Sequence, residues 1–184
     1  MNRIAALSRL AIVPRAMDRP MGALFFLLAC ALGAFVVIPL PFTPVPLTLQ
    51  TFFVLLGGIW LGSSWAGGVQ AAYLGLGGSG MGLFAGGAAG LAVLAGPTAG
   101  YLWAFVPASV LAGYGWKRFS GFWPRLLVLA AADLLILTCG ASWLGLLLHA
   151  GPQQAVLLGL LPFIPGEIIK VICAAGIGML ITKG

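Results

Sequence analysis

The run Met21-Gly22-Ala23-Leu24-Phe25-Phe26-Leu27-Leu28-Ala29-Cys30-Ala31-Leu32-Gly33-Ala34-Phe35-Val36-Val37-Ile38 contains no charged residue. Its length approaches the roughly 20 residues that a helix needs to cross a hydrocarbon core about 30 Å thick. Arg3, Arg9, Arg15 and Arg19 precede it, and Pro39 follows it. The basic stretch leads into the apolar run without a tidy cleavage site, so it reads as a cytoplasmic lead-in to a retained first span rather than a secretory signal.

Working outward from 21–38, cuts at prolines, glycine clusters and charges give five further candidate spans: 49–62, 65–78, 98–116, 125–148 and 165–182. The second and third are short and need flanking turns or a locally thin, protein-buried region. The expectation is an all-α polytopic membrane protein with six transmembrane helices and both termini cytoplasmic. Residues 1–20 form a basic cytoplasmic segment, and residues 21–184 a single six-helix transmembrane domain in the cell (inner or plasma) membrane.

Composition agrees. Of 184 residues, 61% are hydrophobic and 7% charged, with three acids against nine bases. Soluble domains average about 45–50% apolar and about 25% charged, so lipid must cover much of this chain. The net charge of +6 comes from scattered bases flanking apolar runs, which argues for membrane topology and against nucleic acid as a partner. Arg3, Arg9, Arg15, Arg19, Lys117, Arg118, Arg125 and Lys183 all fall on one side if six spans are crossed. The opposite segments 39–48, 79–97 and 149–164 carry no Lys or Arg.

Catalytic and metal readings find no support. His149 is the only histidine, no HExxH, GxSxG or Walker motif occurs, and Cys30, Cys139 and Cys173 stand singly in apolar stretches as small hydrophobes. No catalytic residue, metal ligand or cofactor is therefore assigned.

The ninth base, Lys170, lies inside the last span three residues from Glu167, on the same helical face. Intramembrane charges are rare, cost about 2.5 kcal/mol or more, and usually face a bundle interior or wet cavity. Leu161-Pro162-Phe163-Ile164-Pro165-Gly166 reads as a break followed by a helix start. A helix N-terminus plus a lysine would receive an anionic group well, while Glu167 could orient Lys170 or accept from a ligand. The bland alternative is a mutually neutralising pair. Asp133, the other intramembrane acid, is expected to lie much of the membrane away.

Other candidates stay open between two readings. Gln50 either reads a polar ligand or bonds a nearby loop. Tyr73, Ser79, Phe84 and Tyr101 lie around the outer half, as pocket lining or as interfacial residues. The charge-free, glycine-rich stretch 77–90 is expected to fold back as a lid, a linker being the alternative. Pro39–Pro46 favours an extended connection. Ala29, Gly33 and Ala34 make a small-residue stripe that packs within the bundle or docks a second protein.

Four ordered motifs carry a family resemblance: Pro41-Phe42-Thr43-Pro44-Val45-Pro46-Leu47-Thr48-Leu49-Gln50-Thr51, Phe84-Ala85-Gly86-Gly87, Gly96-Pro97-Thr98-Ala99-Gly100-Tyr101-Leu102, and Leu161 to Lys170. Together they resemble the BioY family, the biotin-binding S components of energy-coupling factor transporters. The resemblance implies six membrane helices and biotin held near the external face, with Glu167 and Lys170 as binding residues. It also implies a membrane coupling protein and two ATPases as partners, and the stripe of span one would suit that docking. The alternatives are an S component for another small vitamin, or a structural membrane protein whose ion pair is internal.

Overall fold

Prolines and β-branched residues end the first helix earlier than its apolar run. The computed structural model describes residues 19–182, and in it α1 spans Arg19–Phe35. Ile38 precedes Pro39, which disfavours helix there. Val37–Ile38 forms β1 instead, pairing antiparallel with β2 (Leu47–Thr48) in the register Val37↔Thr48 and Ile38↔Leu47. The proline-rich segment between them is thus the connection of a small clasp. The Leu49 amide then bonds the Gly33 carbonyl at 3.1 Å, fixing the start of the next helix against the end of α1.

That helix, α2 (Gln50–Leu61), is separated from α3 (Ser63–Gly78) by Gly62 alone. Gly62 has φ +75°, a conformation that glycine adopts without a Cβ penalty. The Lys117 ammonium lies against it, where the helix dipole of α2 favours a cation. After two 3-10 turns, Ala85–Gly87 and Val93–Ala95, the chain continues through α4 (Ala99–Arg118), α5 (Phe122–Leu147), α6 (Pro152–Gly159) and α7 (Ile164–Thr182). α5 and α7 are long and apolar enough to cross a membrane by length and composition, whereas α1 and α2 are shorter apolar helices.

The short helix α6 lies in a segment expected only to connect spans, and it changes the geometry. It runs back along α5, with Ala155 against Gly145 and Gly159 against Ala141; a methyl on Gly159 would stand 2.7 Å from the Ala141 Cα. Eight residues at 1.5 Å each carry the chain about 12 Å down the bundle before α7 begins. α7 then packs on α5, and Phe163 and Glu167 line the same cavity as Ile136 and Leu137, one helical turn from Asp133. The expectation that Asp133 lies far from the Glu167–Lys170 pair is therefore corrected: it assumed that α7 starts at the end of α5.

Arg19, Lys117, Arg118 and Arg125 gather at one end of the bundle, where α1 begins, α4 ends and α5 begins. Arg3, Arg9, Arg15, Asp18 and Lys183 lie outside the described residues. The outward faces are apolar: Leu24, Phe25, Leu28 and Leu32 on α1 are 50–68% exposed. A helix apolar on its inner and outer faces suits a lipid surround. The small-residue stripe of the same helix points inward instead. Ala29, Gly33 and Ala34 are buried, and a methyl on Gly33 would collide with Phe53 and the Leu49–Gln50 backbone. These three residues serve packing within the chain, which removes them as a docking face. Cys30 is buried, while Cys139 and Cys173 face outward.

Candidate functional site

Five parts of the chain converge on one cavity of about 50 Å³. Its walls come from the clasp (Val45 to Thr48), the start of α2, the outer part of α4 with Tyr101 and Phe105, Ile136 on α5, and the start of α7. Pro165 occupies the first turn of α7, where its missing N–H leaves no bond unmade. One turn further, Glu167 and Lys170 share a face and are 4% and 8% exposed.

Lys170 Nζ donates to Glu167 Oε1 at 2.5 Å, to Thr51 Oγ1 at 2.9 Å and to the Thr48 carbonyl at 2.7 Å. An ammonium has three N–H groups, so all are engaged. The Thr51 hydroxyl in turn donates to Glu167 Oε2 at 2.7 Å, which closes a ring of three side chains. Burial of an ion pair carries a desolvation penalty that only further hydrogen bonds offset, and Thr48 and Thr51 provide them. Neither threonine is among the sequence candidates; their signal lies in the polar interruptions of Leu47-Thr48-Leu49-Gln50-Thr51.

A second chain of bonds starts at the same β2 residue. Thr48 Oγ1 donates to Gln50 Oε1 at 3.1 Å, Gln50 Nε2 to the Tyr73 hydroxyl at 2.5 Å, and that hydroxyl to the Leu83 carbonyl at 2.6 Å. The next residue, Phe84, is fully buried and stacks edge-on against Tyr73 with ring centroids 5.6 Å apart. It fills the space beside Gly77 that any side chain there would occupy. The segment after α3 is therefore pinned over the cavity, and Ala85 lines it.

Of the sequence candidates, Glu167 and Gln50 line the cavity, Lys170 stands behind its wall bonded to Glu167, Thr51 and Thr48, and Tyr73 and Phe84 anchor its cover. Tyr101 forms the facing wall. Its hydroxyl donates to the Gly159 carbonyl at 2.5 Å and its ring leans on Phe163 at 5.9 Å. Ser79 is exposed and donates to the Leu76 carbonyl of its own turn, apart from this group. Chemically, the arrangement offers one cation, several acceptors and an apolar wall. It can hold a small anion with an apolar body.

Comparison with known proteins gives consistent matches. The model of the BioY family matches residues 10–184. The chain is 40% identical over 127 residues to a "Probable biotin transporter BioY" of Pyrococcus horikoshii, covering 69% of this chain and 74% of that protein. It is 34% identical to the "Biotin transporter BioY" of Thermotoga maritima, covering 82% and 88%. With the "Biotin transporter BioY" of Rhizobium etli the identity is 31%, covering 91% and 94%. Among solved structures, a crystal structure of the S-component for biotin from an ECF-type ABC transporter superposes with a TM-score of 0.85. That match covers 100% of this chain and 95% of the other at 24% identity, which establishes an all-α fold shared with a polytopic membrane protein.

Proposed function

The chain belongs to the BioY family, and from that membership we propose that it captures biotin as the substrate-binding subunit of an ECF-type transporter. The observation that carries this reading is the buried Lys170 held by Glu167, Thr51 and Thr48, three residues that line an apolar cavity. Biotin's carboxylate takes one of the three N–H bonds of Lys170 in exchange for Thr51 or Thr48. Its apolar body lies against Tyr101, Phe105, Ile136 and Phe163. The cavity of about 50 Å³ is smaller than the roughly 300–1,000 Å³ typical of ligand sites. Entry therefore requires the cover at Phe84 to lift. Gln50 and Tyr73 act through that cover; Ser79 lies at its edge.

The same reading includes six membrane crossings with both chain ends cytoplasmic. The basic segment 1–20 leads into one transmembrane domain over 21–184. Support comes from the gathering of Arg19, Lys117, Arg118 and Arg125 at one end of the bundle and from the positive-inside rule. Membership of the family supports a coupling membrane protein and two ATPases as its partners.

The test is thermal unfolding of detergent-purified protein with biotin and with a biotin amide. At 100 times its dissociation constant a ligand adds about 2.7 kcal/mol, and biotin should do so more effectively than the amide. In Lys170→Ala the preference for the acid should vanish. No stabilisation by biotin and no saturable binding would overturn the proposal.

A further inference from the structure

A second hollow lies toward the other end of α1 from the clasp. It is a groove of about 390 Å³ between α1 and α3, lined by Ala23, Leu24 and Leu27 on one side and by Ser64, Trp65 and Gly68 on the other. That volume falls within the roughly 300–1,000 Å³ of ligand sites, and the groove shares no residue with the cavity at Glu167. Behind it, Phe26 packs with Ala66 and Val69 in a small buried cluster. Its outer side is open: Leu24 is 58% and Trp65 38% exposed, and a Cβ on Gly68 would meet nothing within 4 Å.

Length and charge together indicate what fits there. Along α3 the groove runs from Ser64 to Ala72, a rise of about 12 Å. One leaflet supplies half of the hydrocarbon core, about 15 Å, so the groove nearly matches the depth of a single leaflet. Trp65 stands in the first turn of α3, and tryptophan favours the headgroup interface. Arg19 precedes Ala23 by one turn on the same face of α1, and the Lys117 ammonium lies against Gly62, two residues before Ser64. The acids among the described residues, Asp133 and Glu167, are buried within the bundle, and the ion pair among those residues is that of Lys170 with Glu167. Cations at the mouth of an apolar trough complement a negative headgroup above an acyl chain. A larger hollow of about 570 Å³ between α3 and α4 reaches Ser79, Leu91 and Leu94. It opens on segment 79–97, which carries no Lys or Arg, so it has the apolar shape without the charge.

We propose that the groove between α1 and α3 binds one anionic phospholipid, with an acyl chain along Leu27, Gly68 and Ala72 and the phosphate at Arg19 and Lys117. The inference rests on the membrane-spanning reading of the chain and is independent of what Lys170 holds. The acyl chain fills the space that the two helices leave between them. The two cations favour a negative headgroup over a zwitterionic one.

The experiment is native mass spectrometry of the full chain, extracted into mild detergent from vesicles of equal parts phosphatidylglycerol and phosphatidylcholine. The wild type should retain one phosphatidylglycerol per chain in preference to phosphatidylcholine. A base beside an anionic headgroup contributes about 1 kcal/mol, or about fivefold, so Arg19→Gln and Lys117→Gln should each lower that preference about fivefold. Gly68→Leu fills the trough from a position with open space around it and should lose lipid of either kind. Gly75→Leu, in the hollow between α3 and α4 and equally open, should keep it. Retention in Gly68→Leu equal to the wild type overturns the proposal and leaves the groove to a helix of another protein. An equal loss in Gly75→Leu, or a phosphatidylglycerol preference unchanged in both charge variants, overturns it as well. Biotin binding on the same preparations is a separate readout: its failure refutes the proposed substrate and leaves the lipid ratios as the measure of this site.

Discussion

Thr51→Val removes one oxygen from the ring around Lys170 and leaves the shape of the side chain nearly unchanged. The hydroxyl donates to Glu167 Oε2 at 2.7 Å and accepts from Lys170 Nζ at 2.9 Å, and Thr51 is 8% exposed. Hydrogen bonds to charged groups contribute about 1.5–3 kcal/mol each. The loss of two at the lower end amounts to about 3 kcal/mol. For a chain of this size, each kcal/mol moves the unfolding midpoint by about 2–4 °C, so the variant should melt about 6–12 °C lower. Differential scanning of the detergent-purified protein measures it, with the exposed Ser79→Ala as a control that should shift little. Combining Thr51→Val with Glu167→Gln should give less than the sum of the two, because one bond is removed twice. A midpoint within about 2 °C of the wild type would refute the reasoning, since it would mean that the ring stabilises nothing on balance.

Tyr73→Phe cuts the bonds from Gln50 and to Leu83 while keeping the ring that Phe84 packs on; amide exchange over residues 81–90 should accelerate, and unchanged protection there would separate the cover from this tyrosine. Gly159→Ala places a methyl 2.7 Å from the Ala141 Cα and 3.0 Å from the Tyr101 hydroxyl. Overpacking of this kind costs about 1–3 kcal/mol, visible as a lower melting midpoint, and a neutral substitution would show that α6 does not dock tightly on α5.

Charge placement and apolar runs made the helical membrane architecture readable from the sequence, because lipid tolerates few alternatives to apolar helices. The Glu167–Lys170 pair was readable for the same reason: intramembrane charges stand out against their surroundings. Thr48 and Thr51 did not stand out, since threonine is common at helix starts and nothing local tells which hydroxyl faces a lysine more than a hundred residues away. Asp133 was misplaced by one unforeseen element. The eight residues of α6 carry no strong periodicity, and the depth of every residue in α7 depends on which way they run. The Ala29–Ala34 stripe likewise fits any close helix contact, and only the position of Phe53 shows that the contact lies within the chain.

If Lys170 receives the ligand's carboxylate as proposed, its full engagement by its own chain bears on release as much as on capture. Each oxygen that a carboxylate displaces remains tethered a bond length or two away, at an effective concentration no free ligand reaches. When the ligand's grip weakens, Thr48 or Thr51 can refill the vacated position at once, so the ammonium never has to stand bare in a dry interior. A tight binder without such substitutes would trap its cargo. A carrier has to let go on every cycle, and this lysine keeps its replacement partners within arm's reach.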